Sequence, residues 1–168
     1  MKEYRAFIGL GSNVGDRHGF LIKAASYLQD IRRTRVICYS SVYESDPVGK
    51  IDQPAFLNAV AEVETFLTPS ELMEELQVAE QAVGRIQNER WGPREIDLDI
   101  LLYDGLLHQD KGLSVPHAEL ERRRFVLVPL REIAPDVVHP VSGLTMEELA
   151  GGCSRQGRIK LTSYKILV

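Results

Sequence analysis

The residues with the most distinctive chemistry lie in the segment "EIDLDIL", where Asp97 and Asp99 alternate with aliphatic residues. Side chains alternate across a β-strand, so a strand here places both carboxylates on one face, about 7 Å apart. At an effective dielectric of about 20, their repulsion is on the order of 2 kcal/mol. Carboxylates with an incomplete set of protein ligands suit Mg²⁺, which keeps waters and shares substrate phosphate oxygens. The pattern therefore predicts a magnesium site for a phosphorylated substrate.

A loop rich in arginine precedes this pair. It contains Arg85, Arg90 and Arg94 beside a Gly-Pro dipeptide and the only tryptophan, Trp91. Guanidinium groups bind phosphate oxygens in pairs and offset charge that develops in phosphoryl transfer. The alternative is that the aspartates are solvated residues on the outer face of an edge strand. Aspartate is uncommon in strands, and the adjacent arginines and tryptophan favour a site.

Composition narrows the classes of protein that the chain can represent. Its 168 residues, 44% hydrophobic, predict one globular domain over residues 1–168. The net charge of -4 argues against a nucleic-acid-binding surface, and no apolar stretch approaches the length of a membrane span. The two cysteines, Cys38 and Cys153, lack disulfide-framework or metal-ligand spacing. We expect a cytoplasmic protein, with no nucleic-acid or membrane partner, that is a monomer.

The elements that position these residues alternate between strands and helices. Hydrophobic periodicity predicts strands over 4–10, 34–45, 55–65, 96–103 and 113–115 and helices over 17–31, 68–84, 125–133 and 145–151. Thr68, Pro69 and Glu71 are typical of a capped helix start, and Gly84 of a helix end. The segment 158–168 favours an edge strand whose neighbour the sequence does not specify. The order predicts an α+β sandwich with helices on an antiparallel sheet.

Four segments resemble, in the right order, the 6-hydroxymethyl-7,8-dihydropterin pyrophosphokinase family. They are "IGLGSNVGD", "DQPAFLNAV", "GRIQNERWGPREIDLDIL" and "VPHAELERRRFVLVPL". The resemblance runs from about residue 6 to residue 135. It implies a ferredoxin-like α+β fold and an enzyme of folate biosynthesis. That enzyme transfers the pyrophosphoryl group of ATP to the pterin hydroxymethyl group, with two Mg²⁺ ions and AMP as the second product.

The resemblance also implies residue roles. Asp97 and Asp99 become ligands of Mg²⁺, and Arg85 and Arg94 become catalytic residues on a loop that closes over the triphosphate. The implied pterin-binding residues are Ser45, Asp46, Val48, Phe56, Asn58, Trp91 and Phe125. The implied ATP-binding residues are Gln77, Glu80, Arg85, Trp91, Arg94, Ile100, Ser114, His117 and Arg123.

These roles agree with the chemistry of the side chains, but ordinary structural roles compete with them. Two phenylalanines can stack on a flat heterocycle, and an amide such as that of Asn58 offers both a donor and an acceptor. Phenylalanines are, however, common in cores, Asp46-Pro47 suits a plain turn, and Gln77 and Glu80 suit a solvated helix face. The segment "GLGSNVG" lacks the spacing of a phosphate loop and is interpreted as a strand-to-helix turn.

The sequence departs from the family pattern at Gln87, where arginine is common, at Gly112, where a basic residue is usual, and at Ala118, where a larger side chain is usual. Two other classes of function stay open. A binding module would keep the pocket without turnover, and the paired aspartates argue against it. A metal-dependent phosphohydrolase would release phosphate without a pterin, and an arginine-rich lid that excludes water argues against that.

Overall fold

In the computed structural model, helices pack on both faces of a mostly antiparallel sheet. The structure describes residues 1–48, 52–86, 92–154 and 157–167. The strands are β1 (Tyr4–Ser12), β2 (Thr34–Tyr39), β3 (Tyr43–Ser45), β4 (Phe56–Thr65), β5 (Asp97–Tyr103), β6 (His108–Asp110), β7 (Leu113–Val115) and β8 (Ile159–Leu161). The α-helices are α1 (Arg17–Asp30), α2 (Pro69–Val83), α3 (Arg124–Ile133) and α4 (Met146–Gly152), and a 3-10 turn spans Leu120–Arg122. This arrangement confirms the predicted α+β class.

The main sheet has the order β5-β1-β4-β3-β8, and β2 also pairs with β4. Strands β1 and β4 run antiparallel, and β5 pairs with the other side of β1 and forms one edge of the sheet. A register shift after Phe7 leaves Leu101 without a direct partner in β1. Both Leu101 and Leu102 consequently pack on the same side of the sheet, as a β-bulge allows.

One face of the sheet is closed by α1 and α2, and we call it the aliphatic face. Leucines at 21, 28, 72 and 76 of the two helices are fully buried against strand residues such as Ile8 and Ile100. These positions recur at helical spacing in α1 and α2 and at alternate positions in β1 and β5, so the hydrophobic pattern of the sequence determines this packing.

Both ends of α2 have the predicted caps. Thr68 Oγ1 accepts a hydrogen bond from the Glu71 N–H at 3.2 Å, and Glu71 Oε2 accepts one from the Thr68 N–H at 2.7 Å. Gly84 ends the helix with φ 119°, a conformation that glycine adopts without steric cost. The caps fix where α2 ends, and therefore where Glu80 and Arg85 lie relative to β5.

The opposite face carries α3 and α4, and we call it the site face. Leu127 and Leu130 of α3 and Met146 of α4 pack there on Phe7 and Val60. This second cluster covers only part of the sheet. The ends of β1, β4 and β5 that carry Gly11, Asn58 and Asp97 lie beyond it.

Two strand predictions need correction. The predicted strand over residues 34–45 is divided into β2 and β3, because Ser40 leaves the ladder and its Oγ accepts a hydrogen bond from the Val60 N–H at 2.8 Å. Strand β1 extends to Ser12, two residues beyond the predicted end, so Gly11 lies within the strand and not in the turn that the sequence suggested. The C-terminal strand without a predicted neighbour is β8, which pairs with β3. In the part of the chain that the structure describes, no helix is long and apolar enough to cross a membrane.

Candidate active site

A cavity of about 660 Å³ opens on the site face between the sheet and the N-terminal end of α3. It brings together residues from β1, β3, β4, β5 and the segments before β5 and α3. The residues of the sequence prediction that line it are Ser45, Asp46, Val48, Phe56, Asn58, Arg94, Asp97, Asp99, His117, Arg123 and Phe125. Positions up to 80 residues apart in sequence therefore face one space.

Glycines of β1 form the floor of this cavity. A Cβ on Gly11 would lie 3.3 Å from Asn58 Oδ1, and one on Gly9 would lie 3.4 Å from a methyl carbon of Leu101. Gly11 pairs with Asn58 on one side and with Asp97 on the other. The amide and the carboxylate thus lie two strand spacings apart, about 10 Å, and no side chain stands between them.

The acidic pair lies at the β5 edge of the floor. The side chains of Asp97 and Asp99 retain 39% and 38% of their exposure, whereas Leu98 between them is buried on the aliphatic face. Burial raises the pKa of Asp99, and the negative charges of Asp97 and Glu80 raise it further. Strand β5 is an edge strand, as the alternative interpretation supposed, but these carboxylates face the cavity.

This donor set fits a cation that also binds substrate. Among residues 1–48, 52–86, 92–154 and 157–167, no group of three His, Cys, Asp or Glu side chains could hold a metal ion. The two carboxylates would therefore leave most of the coordination positions of a Mg²⁺ ion to water and phosphate oxygens, which is the arrangement that this ion favours. Burial is the first cause of the raised pKa of Asp99 and the charge of Asp97 the second, and a bound cation would relieve that like-charge repulsion.

Glu80 anchors Arg85 beside the acidic pair. Its Oε2 accepts from Arg85 Nη1 at 2.5 Å, and its Oε1 accepts from the Leu98 N–H at 2.8 Å. The same Arg85 nitrogen lies 3.4 Å from Asp97 Oδ1. Burial raises the pKa of Glu80, and the hydrogen bond from Leu98 and the charge of Arg85 oppose that rise. The buried carboxylate thus holds a guanidinium at the rim of the site.

His117 stands on the other side of the pair, with Nε2 3.9 Å from Asp99 Oδ2. Its Nδ1 accepts a hydrogen bond from the Glu119 N–H at 3.1 Å, so the neutral ring carries its proton on Nε2, toward Asp99. Burial and the charge of Arg123 lower the pKa of His117. A neutral imidazole donor therefore faces the site, and the Arg123 guanidinium lies 5.6 Å from the centre of the Phe125 ring.

The side of the cavity away from the aspartates has the features of a heterocycle pocket. Asn58 is 5% exposed, and its Nδ2 donates to Ser45 Oγ at 2.7 Å. Its carbonyl oxygen is the atom nearest to the floor at Gly11. Phe56 and Phe125 are half-buried and both line the cavity. Two aromatic rings and a fixed amide are what a flat, polar-edged ring system requires.

Asn13 is a residue of the site that the sequence analysis missed. Its side chain is fully buried, and Nδ2 donates to Gln53 Oε1 at 2.9 Å and to the Pro54 carbonyl at 3.0 Å. Its Oδ1 accepts from the Arg94 N–H at 2.7 Å, and its own N–H donates to the Arg94 carbonyl at 3.0 Å. Asn13 therefore fastens the segment before β4 to the segment before β5. No local pattern identifies this residue, because its partners lie 40 to 81 residues away.

Several predicted residues lie outside the cavity lining. Gln77 is exposed on α2, and Ile100 is buried on the aliphatic face. The Ser114 hydroxyl donates to the Pro116 carbonyl at 3.3 Å, and Glu80 and Arg85 border the lining without contributing to it. Gly112, one of the departures from the family pattern, does line it. Trp91, with Gln87 and Arg90, lies outside the described residues.

Comparison with known proteins relates this geometry to a family. The model of the 7,8-dihydro-6-hydroxymethylpterin-pyrophosphokinase family matches residues 7–135. The chain belongs to this family. It is 45% identical over 144 residues to 2-amino-4-hydroxy-6-hydroxymethyldihydropteridine pyrophosphokinase of Methylorubrum extorquens, covering 86% of this chain and 90% of that protein. It is 44% identical over 142 residues to the protein of the same name from Haemophilus influenzae, covering 84% and 89%.

Solved structures agree with this assignment at the level of the fold. The crystal structure of the wild-type HPPK-DHPS protein of Plasmodium falciparum with pteroate superposes with a TM-score of 0.72 at 17% identity. The similarity covers 89% of this chain but 42% of that one. Membership confirms the expected pyrophosphokinase, a diphosphotransferase of folate biosynthesis.

Proposed function

We propose that the chain transfers the pyrophosphoryl group of ATP to the hydroxymethyl oxygen of 6-hydroxymethyl-7,8-dihydropterin within the cavity of the site face. The observation that carries the proposal is that an aromatic and amide region and an acidic region lie on opposite sides of a floor of glycines, which has no side chains. Asn58, Phe56 and Phe125 lie on one side, and Asp97 and Asp99 lie on the other. Gly11 pairs with residues of both regions. A pterin and a triphosphate placed on these regions meet above β1.

The pterin side supplies recognition. The rings of Phe56 and Phe125 stack on the heterocycle, and the Asn58 amide, held by Ser45, pairs with its polar edge. Gly9 and Gly11 leave the space that the hydroxymethyl group needs to reach the triphosphate. Ser45, Asp46 and Val48 close the wall beyond Asn58. Trp91 completes this binding set in the proposal, although it lies outside the described residues.

The triphosphate side supplies charge. Asp97 and Asp99 would hold Mg²⁺, which when bound neutralises phosphate charge and shares the phosphate oxygens. Arg85, Arg94 and Arg123 orient the anion, and neutral His117 donates a hydrogen bond from Nε2. Gln77, Glu80, Ile100 and Ser114 complete the proposed nucleotide set. Glu80 acts through Arg85, which it holds.

The reaction joins the hydroxymethyl oxygen to Pβ and breaks the bond between Pβ and the oxygen that bridges to Pα. AMP leaves, and the hydroxyl proton is released. Asp97 and Asp99 are committed to the metal and Asp46 accepts a hydrogen bond from the Arg158 N–H, so the proposal assigns no lining carboxylate as a dedicated base. Positioning and charge neutralisation therefore supply most of the acceleration, as is general for phosphoryl transfer. Exclusion of water by the arginine segment favours transfer over hydrolysis.

The test is the fate of labelled ATP. Purified protein, MgCl₂ and ATP labelled at the β or γ phosphorus are mixed with 6-hydroxymethyl-7,8-dihydropterin, and the products are separated. The proposal predicts AMP without label and a pterin that carries the label, whichever of the two phosphorus atoms was labelled. The matched control replaces the pterin with 6-methyl-7,8-dihydropterin, which lacks the accepting hydroxyl and must give no AMP. ADP, or phosphate released with the control compound, contradicts the proposal, as does binding without turnover.

We also propose two Mg²⁺ ions per active site, as the family resemblance implies, with Asp97 and Asp99 of the cavity lining as their carboxylate ligands. Binding of Mn²⁺ as a spectroscopic substitute, measured with a non-hydrolysable ATP analogue, should give a stoichiometry of two. A stoichiometry of one contradicts this part.

The remaining proposals concern the whole chain. We propose a monomeric, cytoplasmic protein in which residues 1–168 form one domain. The free thiols of Cys38 and Cys153 suit a reducing compartment, and α4 and β8 pack on α3 and β3. Light scattering should give the mass of one chain, and calorimetry should show a single unfolding transition.

A further inference from the structure

The C-terminal segment, residues 157–167, extends the sheet next to the pterin wall and lies beyond the family match at 7–135. Strand β8 pairs with all three residues of β3, ending with Ile159 opposite Ser45. The other side of β3 pairs with β4, so β8 converts a three-residue edge strand into an interior one. The segment therefore supports the strand that carries Ser45, the hydrogen-bond partner of Asn58.

The pairing continues one residue further, at Asp46. The Asp46 N–H donates to the Arg158 carbonyl at 3.1 Å, and the Arg158 N–H donates to Asp46 Oδ2 at 2.9 Å. The Arg158 guanidinium is 91% exposed, and its Nε lies 3.6 Å from Asp46 Oδ1. An exposed ion pair of this kind contributes little, whereas the main-chain N–H has a fixed position. The peptide group of Arg158 is therefore the contact that holds the carboxylate.

The segment also contacts the opposite wall and the core. Arg124, which begins α3 next to Phe125, donates from Nη1 to the Gly157 carbonyl at 3.4 Å. The Thr162 Oγ1 donates to the Val42 carbonyl at 2.7 Å, and Ile166 is 8% exposed within the aliphatic core. Residues 157–158 thus connect the wall at Asp46 with the wall at Phe125, and the rest of the segment is fixed to the body of the protein.

We infer that residues 157–158, at the start of the C-terminal segment, position the pterin wall, with Arg158 as a positioning residue that acts through Asp46. This rests on the proposed function, because it takes the pterin to bind against Ser45 and Asp46. Arg158 does not line the cavity. Its N–H holds the Asp46 carboxylate in the pterin wall and fixes the backbone that leads to Val48. The position of the wall against which the pterin binds thereby depends on a segment outside the cavity.

The decisive variant is Arg158→Pro, because proline lacks the N–H and is tolerated at the start of an edge strand. Arg158→Ala is the matched control, since it removes the guanidinium and keeps the N–H. Thr162→Val is the second control, since it weakens the same segment at Val42, away from the cavity. For each variant, the KM for the pterin, the KM for ATP and the Tm are measured on the full-length protein with Mg²⁺.

The inference predicts that Arg158→Pro raises the pterin KM by about tenfold, the effect of losing one hydrogen bond to a charged group, with the ATP KM unchanged within about twofold. Both controls keep the pterin KM of the wild type, although Thr162→Val lowers the Tm. In an Asp46→Ala background, Arg158→Pro adds no further rise, because its partner is absent.

An Arg158→Pro protein that loses Tm like Thr162→Val but keeps its pterin KM overturns the inference. So does an equal rise in both KM values. If Arg158→Pro does not fold, Gly157→Ala replaces it, because Gly157 has φ 78° and a side chain there displaces the Arg158 N–H. A wild-type protein that forms no AMP refutes the proposed function itself, whereas an active wild type with an indifferent Arg158→Pro refutes only this inference.

Discussion

The two faces of the sheet differ although the same strands build both. On the aliphatic face, β1 contributes Ile8 and β5 contributes Leu98 to a core that α1 and α2 close. One residue along, the same strands give Gly9 and Asp99 to the site face, where α3 leaves the sheet uncovered. The first face stabilises the fold through burial of apolar area. The second face instead holds two carboxylates that repel each other and glycines that bury no side chain. Substitutions on the aliphatic face should therefore change mainly stability, and substitutions at neighbouring positions on the site face should change mainly activity.

The largest effect on stability is expected at Leu76, which is fully buried between α2 and the sheet. Leu76→Ala removes apolar contacts and leaves a cavity, and should lower the free energy of unfolding by about 2–5 kcal/mol. Urea denaturation measures this change. At a temperature where the variant stays folded, its KM values should equal those of the wild type. A specific loss of pterin or ATP affinity would mean that the two faces are not independent.

Asn13 lies on the site face, where it fastens two segments of the chain to each other. Asn13→Ala leaves the Arg94 N–H and the Pro54 carbonyl without their buried partner, which should cost about 1–3 kcal/mol of stability. It should also raise both KM values, since both segments lose their anchor. Asn13→Asp keeps an acceptor for Arg94 but loses the donors to Gln53 and Pro54. That control should affect the pterin KM more than the ATP KM, and equal effects would argue against the assignment of the two segments.

Gly11→Ala places a methyl group at the bare floor between the two binding regions. Its Cβ would lie 3.3 Å from Asn58 Oδ1, so the amide must shift. We expect the pterin affinity to fall by about tenfold, or about 1.4 kcal/mol, while the Tm changes little. Titration calorimetry with the pterin and a non-hydrolysable ATP analogue measures it. An unchanged pterin affinity would show that the pterin does not bind against the floor at Gly11.

The smallest effect concerns the capping box of α2, and it depends on pH. The hydrogen bonds with Thr68 lower the pKa of Glu71 in the folded protein. This contribution to stability is therefore present above the ordinary glutamate pKa of about 4.3 and disappears as the pH falls through the lowered value. Glu71→Ala should lower the Tm at pH 7, and its difference from the wild type should narrow below about pH 4. A difference that does not vary with pH would contradict the role of the charge.

Local patterns in the sequence were enough to predict much of this architecture. Alternation along 96–103 placed Asp97 and Asp99 on one face, and the Thr68, Glu71 and Gly84 signals marked both ends of α2. The break at Ser40 was missed because strand-forming residues continue on both sides of it. The Ser40 hydroxyl accepts from the Val60 N–H in place of a main-chain carbonyl. The partners of Asn13 lie 40 to 81 residues away, and the neighbour of β8 lies more than 110 residues away. Periodicity does not encode such distant contacts.

We propose one role for the carboxylates of β5, which is to serve the reaction at no benefit to the fold. It is tested by measuring AMP formation and Tm together in Asp97→Asn and Asp99→Asn, with Asp110→Asn on the exposed strand β6 as the control. Each site variant should lose activity by about 10²–10³-fold, while its Tm is unchanged or higher because the repulsion is relieved. Asp110→Asn should match the wild type in both. Site variants that retain activity, or that lose it only in proportion to a lower Tm, would show that the two carboxylates do not have this role.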